Sequence, residues 1–149
     1  MIKVQENNFS ITDEIALLRE RCKNIGALSS FVGIVRDKRE NKDLISMTLE
    51  HYPGMTEKML KKINIEAHSR WNLLGSTIIH RYGELLPGDQ IVLVITASKH
   101  RKEAIDSCHF IIDWLKTKGP FWKYEKTFDK GYWVEARNKD LEEELKWNN

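Results

Sequence analysis

The 149-residue sequence holds little that would mark a metalloprotein, a secreted protein or a membrane protein. Its two cysteines, Cys22 and Cys108, lack C-x-x-C spacing, which argues against a disulfide framework or a thiolate zinc site. Both fall in segments with helical patterning and read as buried, reduced thiols. His51, His68, His80, His100 and His109 show no H-E-x-x-H or other paired-ligand spacing, so no metal is expected. G-x-x-x-x-G-K-[ST], G-x-G-x-x-G and G-x-S-x-G are all absent, which removes the usual nucleotide cradles and the hydrolase elbow; no resident cofactor is expected. The longest uninterrupted apolar run, Ile91–Ile95, is far short of the roughly 20 residues of a membrane span. The alternating, charged start Met1–Glu6 is unlike a secretory h-region. A formal net charge of only +2 implies no nucleic-acid partner, so any anion site must come from local clustering. The expectation is a cytoplasmic protein that works off the membrane.

What is present is a 41% hydrophobic, 31% charged chain, long enough for one compact domain over residues 1–149. Residues 2–9 alternate, as an edge strand does. Ser10-Ile11-Thr12-Asp13 has the form of a capping box before a helix that ends near Asn24-Ile25-Gly26. Ala27–Val35 is nearly continuous in β-favouring residues, the pattern of a strand buried on both faces. The charge run Arg36–Asp43 reads as a solvated loop or as a loop over a site, because it leaves a core strand carrying Arg36 and Arg39. Leu44–Tyr52 alternates as a strand, and Pro53-Gly54 turns into a helix with Met55, Met59, Ile63, Ala67 and Trp71 as its apolar stripe. Strands are expected at Ser76–Tyr82 and Ile91–Ala97, with Pro87-Gly88-Asp89 as the turn between them. Ser98 is placed to cap the next helix, whose apolar face is Ala104, Cys108, Ile111 and Leu115. Phe121–Lys126 and Tyr132–Ala136 form a hairpin, and residues 138–149 a peripheral helical tail. The order βαβ–βα–ββα–ββ predicts an α+β fold, with helices packed on a largely antiparallel sheet and a C-terminal hairpin.

The most unusual stretch is Trp114–Glu125, which gathers Lys116, Lys118, Lys123 and four aromatics around Gly119-Pro120. Proline stops the incoming helix, so Lys116 belongs to its last turn and Lys123 to the extended segment that follows. They converge if the chain folds back; alternatively, lysines there complement the helix dipole. Further cations sit at the ends of other elements: Arg36, His100-Arg101 and Arg137. A cation at a helix N-terminus works against the dipole, a local conflict typical of functional sites. Arg36 and Ser98 each end a core strand and are expected at one edge of the sheet, lining a phosphate or carboxylate pocket.

These residues carry a resemblance. Gly33-Ile34-Val35-Arg36, Leu49–Met55, Ile79–Leu85, Ser98–Arg101, Leu115–Lys123 and Trp133–Arg137 resemble the catalytic large subunit of molybdopterin synthase, in order and across nearly the whole chain. The resemblance implies an α/β-hammerhead-like fold and a dimer, each subunit binding one small ubiquitin-like sulfur carrier to give a heterotetramer. It implies sulfur transfer from the carrier's C-terminal Gly-Gly thiocarboxylate to cyclic pyranopterin monophosphate. Lys116 and Lys123 match the catalytic lysines. Arg36, His100, Arg101, Lys116, Lys123, Tyr124 and Glu125 match substrate-binding positions, and Arg137 matches an arginine reaching the neighbouring subunit's pocket. Lys116, crowded by Lys123 and Arg101 and partly buried, is expected to have a lowered pKa and to move protons near neutrality. Trp114 and Phe121 read as core; Trp122 and Tyr124 as either hairpin packing or a wall of the site. Glu50 and His51 read as holding the strand-to-helix turn. The competing function is a non-enzymatic phospholigand- or RNA-binding module using the same cations. In the sulfur-transfer reading the sulfur comes from the carrier, so Cys22→Ser and Cys108→Ser should retain activity in a carrier-driven assay. A large loss in a correctly folded variant would contradict it.

Overall fold

The computed structural model describes residues 1–135 and 138–148. The main chain runs β1 (Ile2–Gln5), α1 (Ile11–Arg21), β2 (Ala27–Ile34), β3 (Lys38–Arg39), β4 (Lys42–His51), α2 (Met55–Arg70), β5 (Leu73–Arg81), β6 (Gly83–Leu85), β7 (Gln90–Ser98), α3 (Arg101–Lys118), β8 (Phe121–Thr127), β9 (Gly131–Val134) and α4 (Asn138–Leu145). This is the expected α+β class, but the strands form two sheets rather than one. The first has the order β1-β5-β7-β2, and the second runs β3-β4-β8-β9 with β6 also paired to β4. Among the described residues only the β1–β5 pairing is parallel.

Strand alternation explains why the first sheet needs cover on both faces. On β7, Val94 joins α2 and α3 residues in one buried cluster, while Leu93, Ile95 and Ala97 join α1 residues in another. On β5, Ile78 and Ile79 divide in the same way. Successive side chains point to opposite faces, so a strand apolar at every position is stable only between two helical layers. A third cluster of Val35, Met47, Leu49, Leu85 and Ile91 fills the seam between the sheets.

Several sequence expectations change. Residues 27–35 do not form a strand buried on both faces: β2 is an edge strand, with Leu28 and Ile34 exposed. No residue of β2 is fully buried, and Ser30 is exposed along with Leu28 and Ile34. The α2 stripe is Thr56, Leu60, Ile63 and Ala67, and Met55 is exposed rather than core filler. A strict four-residue spacing drifts around a helix of 3.6 residues per turn, so the buried line must include a step of three. Ser98 does not cap α3. It ends β7, its hydroxyl donates to the Asn72 carbonyl at 3.0 Å, and His100 takes the cap position. The charged run 36–43 is a tight hairpin, β3 against β4, rather than an open loop. Helix α1 ends at Arg21, three residues before Asn24, which takes a positive φ of 63°.

The segment after the hairpin is helical over Asn138–Leu145 and is seated against α3. Trp147 donates its indole N–H to Asp113 Oδ2 at 2.6 Å and meets Trp71, Phe110 and His109 edge-on. Lys118 is paired with Glu144 at 2.5 Å, which ties α4 to the end of α3.

Between α3 and β8 the chain passes through Gly119, where an added Cβ would lie 2.3 Å from the Leu115 carbonyl oxygen. Its φ of −59° is open to any residue, so glycine is required by space and not by dihedral angle. Gly119→Ala should therefore destabilise the fold by about 1–3 kcal/mol, the usual cost of forced overpacking, read from denaturant midpoints. An unchanged midpoint would contradict this account of the junction.

Candidate active site at the seam of the two sheets

Antiparallel pairing decides which cations can meet. In the β2–β7 register Ala27 faces Ser98 and Ile34 faces Gln90, so Arg36 and Ser98 lie at opposite ends of the first sheet. The expectation that they share an edge is overturned. Helix α3 then runs back across the sheet for 18 residues, carrying Lys116 from the Ser98 end towards the Arg36 end. Arg101 and Lys116 are consequently separated by roughly 22 Å along an unbroken helix.

At the Arg36 end the chain crosses from one sheet to the other. Val35 N–H donates to the Asp89 carbonyl and Gly88 N–H to the Val35 carbonyl, both at 2.9 Å. These bonds fix the start of the Arg36 segment against the Pro87-Gly88-Asp89 turn. Strand β8 enters the seam beside it. Phe121, Lys123 and Glu125 alternate onto one face of β8, opposite His51, Leu49 and Met47 of β4.

Lys123 is the electrostatic centre. Burial holds its ammonium below the ordinary lysine range; the neighbouring Lys116 charge lowers it further, as does Arg36, while Glu125 and Asp140 act in the opposite direction. The side chains felt by Lys123 thus come from α3, the β2–β3 connection, β8 and α4. Lys116 itself is exposed in the last turn of α3, so the lysine withdrawn from water is Lys123, and Arg101 is not among its neighbours.

Two contacts flank Lys123 on its own strand. At i−2, the Phe121 ring stacks on His80 with centroids 3.5 Å apart and planes 11° from parallel. His80 donates Nδ1–H to the Arg81 carbonyl at 2.8 Å, and burial lowers its pKa to about 3, a shift to which the Lys123 charge adds. The ring is a neutral wall at physiological pH. At i+2, Glu125 is buried and its carboxylate accepts from Arg39 at 3.1 Å.

The predicted site residues therefore divide. Arg36, Lys116, Lys123 and Glu125 come together. Tyr124 points to the other face of β8, edge-on to Trp133 at 5.1 Å, and Trp122 is exposed on that same face, near Tyr52 at 5.9 Å. His100 and Arg101 are exposed at the far end of α3. Arg137 lies outside the described residues. Glu50 is exposed, whereas His51 contacts Thr56 Oγ1 at 3.0 Å, the hydroxyl that also bonds Tyr52 at the entry to α2. Sequence reading missed His80, Arg39 and Asp140 as parts of this environment. The spacing Phe121-x-Lys123-x-Glu125 was the available signal for a shared strand face.

Other clusters have different roles. Among the described residues, His109, Asp113 and Glu143 offer nearby ligand atoms, but they are paired with one another, with Lys146 and with Trp147 where α4 meets α3. A cavity of about 520 Å³ between α2, α3 and α4 is floored by Phe110, Trp114 and Trp147. In its lining Arg70 pairs with Glu66 along α2 and Lys118 with Glu144 between α3 and α4, so the cavity is distinct from the cationic seam. Among the described residues no helix is long and apolar enough to cross a membrane.

The fold and site define an α+β, two-sheet subunit with a lysine pair at its seam, and comparison with known proteins gives its family. The profile of the MoaE protein family matches residues 4–118. A molybdopterin synthase catalytic subunit from Ralstonia nicotianae is 49% identical over 146 residues, covering 98% of this chain and 83% of that one. The solved molybdopterin biosynthesis MoaE protein of Burkholderia ambifaria superposes with a TM-score of 0.86 at 48% identity, covering 100% of this chain and 98% of that one. A complex of subunits 1 and 2 of molybdopterin-converting factor from Helicobacter pylori contains a chain 25% identical, with a TM-score of 0.75 and 91% of each chain covered. The chain belongs to the MoaE family of molybdopterin synthase catalytic subunits, and is an enzyme subunit of molybdenum cofactor biosynthesis.

His80 gives the site a pH signature. Its ordinary pKa near 6.5 applies to the unfolded chain, while the folded value is about 3. Between these values the unfolded state binds more protons, so stability falls as pH is lowered from 6.5 towards 3, by up to about 1.4 kcal/mol per pH unit from this group. His80→Phe, which keeps a ring against Phe121, should flatten that part of the stability curve in urea titrations from pH 7 to pH 4. A variant with the wild-type slope would rule out His80 as its source.

Proposed function

We propose that this chain is the sulfurtransferase subunit of molybdopterin synthase, acting in the cytoplasm. It accepts the thiocarboxylated C-terminal Gly-Gly of a small ubiquitin-like carrier and converts cyclic pyranopterin monophosphate to molybdopterin by inserting two dithiolene sulfurs. The observation that carries the reading is Lys123, an ammonium crowded by Lys116 and Arg36 and drawn out of water at the seam.

The chemistry asks for such a group. A thiocarboxylate and a cyclic phosphate are both anions, which a cluster of fixed cations attracts and orients. Attack of thiocarboxylate sulfur on substrate carbon, with departure of oxygen, builds negative charge that Lys116 and Arg36 stabilise. Lys123, whose ammonium is held below the ordinary lysine range by burial and by Lys116, is the group placed to give up and recover a proton. The carrier acyl group is released by water, so this chain's cysteines take no part. Glu125 acts beneath the lysine, while Tyr124 and Trp122 face the opposite side of β8 and suit contact with the carrier.

His100 and Arg101 fit this reading as contributions from a second subunit. Some 22 Å of helix separates them from Lys116 in their own chain, so in the proposed dimer they serve substrate across the interface, as Arg137 does. Two such subunits with two carriers make a heterotetramer.

Reconstitution tests partner, substrate and reaction together. The purified chain alone should be inactive and should convert the precursor once thiocarboxylated carrier is added. Lys116→Ala should abolish turnover while leaving the circular dichroism spectrum and carrier binding intact. Wild-type rates in that variant would remove Lys116 from the mechanism.

A further inference from the structure

Glu125 is a buried carboxylate two residues from Lys123 on the same strand face, so the pair could neutralise each other. The structure gives the carboxylate another partner. Arg39 Nη1 lies 3.1 Å from Glu125 Oε2, with the Glu125 side chain 2% exposed. The Arg39 guanidinium sits over the Tyr132 ring at 4.4 Å, and Tyr132 is directly opposite Glu125 in the β8–β9 register. Arg39 is fixed in turn by the β3–β4 hairpin, where it pairs with Lys42. Planar guanidinium, ring and carboxylate therefore form a closed cluster beside the lysine.

We infer that Arg39 is a positioning residue for Lys123: by holding Glu125, it withholds the one buried carboxylate of this strand face that would otherwise lock the lysine as an ammonium. The inference rests on the reading of Lys123 as the proton-moving group, and it assigns the 36–43 hairpin a second task besides presenting Arg36.

The charges around Lys123 are of both signs. Lys123 faces Lys116 from α3, Arg36 from the β2–β3 connection, Asp140 from α4, Glu125 from its own strand and the neutral His80 from β5, with His51 beyond it on β4. Burial and the two cations depress it; Glu125 and Asp140 oppose them. With Arg39 gone, Glu125 is left as a buried anion, and Lys123 is the neighbouring cation best able to satisfy it.

The test measures Lys123 directly, as the pH dependence of its acetylation by acetic anhydride in the full chain, by peptide mass spectrometry with the exposed Lys61 as internal reference. Only the neutral amine reacts. Arg39→Met should slow Lys123 labelling about tenfold near pH 8, the effect of about one pKa unit, whereas Arg39→Lys should behave much like the parent. Glu125→Gln should move labelling the other way, and Arg39→Met combined with Glu125→Gln should lose the slowing. Unchanged or faster labelling in Arg39→Met overturns the inference, as do Arg39→Met and Glu125→Gln shifting in the same direction. If Arg39→Met does not fold, Glu125→Gln decides: slower or unchanged labelling there also overturns it. No carrier or precursor is used, so failed reconstitution with the labelling pattern intact would count against the sulfur-transfer reading alone.

Discussion

An ammonium group drawn out of water beside two other cations is the constraint on which the rest of this structure bears. Left to itself, Lys123 would swing into solvent, away from Lys116 and Arg36. It is kept in place because β8 is paired on both sides, with Leu49 of β4 and Val134 of β9 directly opposite it. Its strand neighbours are anchored as well, Phe121 on a neutral His80 and Glu125 on Arg39. The cost of crowding like charges is offset by apolar burial in the seam, where Val35, Leu49, Leu85 and Ile91 pack together.

That arrangement explains why the site lies between two sheets and not on one. The first sheet is covered by α1 on one face and by α2 and α3 on the other, which leaves its faces closed to a ligand. The seam is where three connections cross: Ile34 to Lys38, Arg81 to Gly83 and Lys118 to Phe121. Chain ends of regular elements supply side chains with fewer packing obligations, so cations can gather there without displacing core.

Much of this was legible from the residues. The helix stop at Gly119-Pro120, the placement of Lys116 and Lys123 on either side of it, the C-terminal hairpin and the α+β class all follow from local rules: proline lacks a donor, and strands alternate while helices repeat every 3.6 residues. The family resemblance carried by Leu49–Met55 agrees with the family match over residues 4–118, and the similarity to the Ralstonia nicotianae relative extends over 98% of the chain. Composition is a poor guide to burial here. The apolar run of β2 looked interior, yet it lies at a sheet edge; of the two readings of the polar run 36–43, solvated loop or loop over a site, the segment fits the second as a hairpin whose Arg39 binds a buried carboxylate.

Backbone propensity and short-range periodicity were enough to place the long elements, their order and the kinds of side chain available to the site, though not the short strands β3 and β6, which form through pairing with β4. Which cations share a pocket was settled by tertiary contacts. The antiparallel register of β2 with β7 put Arg36 and Ser98 at opposite ends, and the length of α3 carried Lys116 to one end while leaving His100 and Arg101 at the other. Tertiary contacts likewise decided that Lys123, and not Lys116, is the lysine withdrawn from water. Distances and desolvation arise from contacts between residues far apart in the chain, which local sequence rules do not encode.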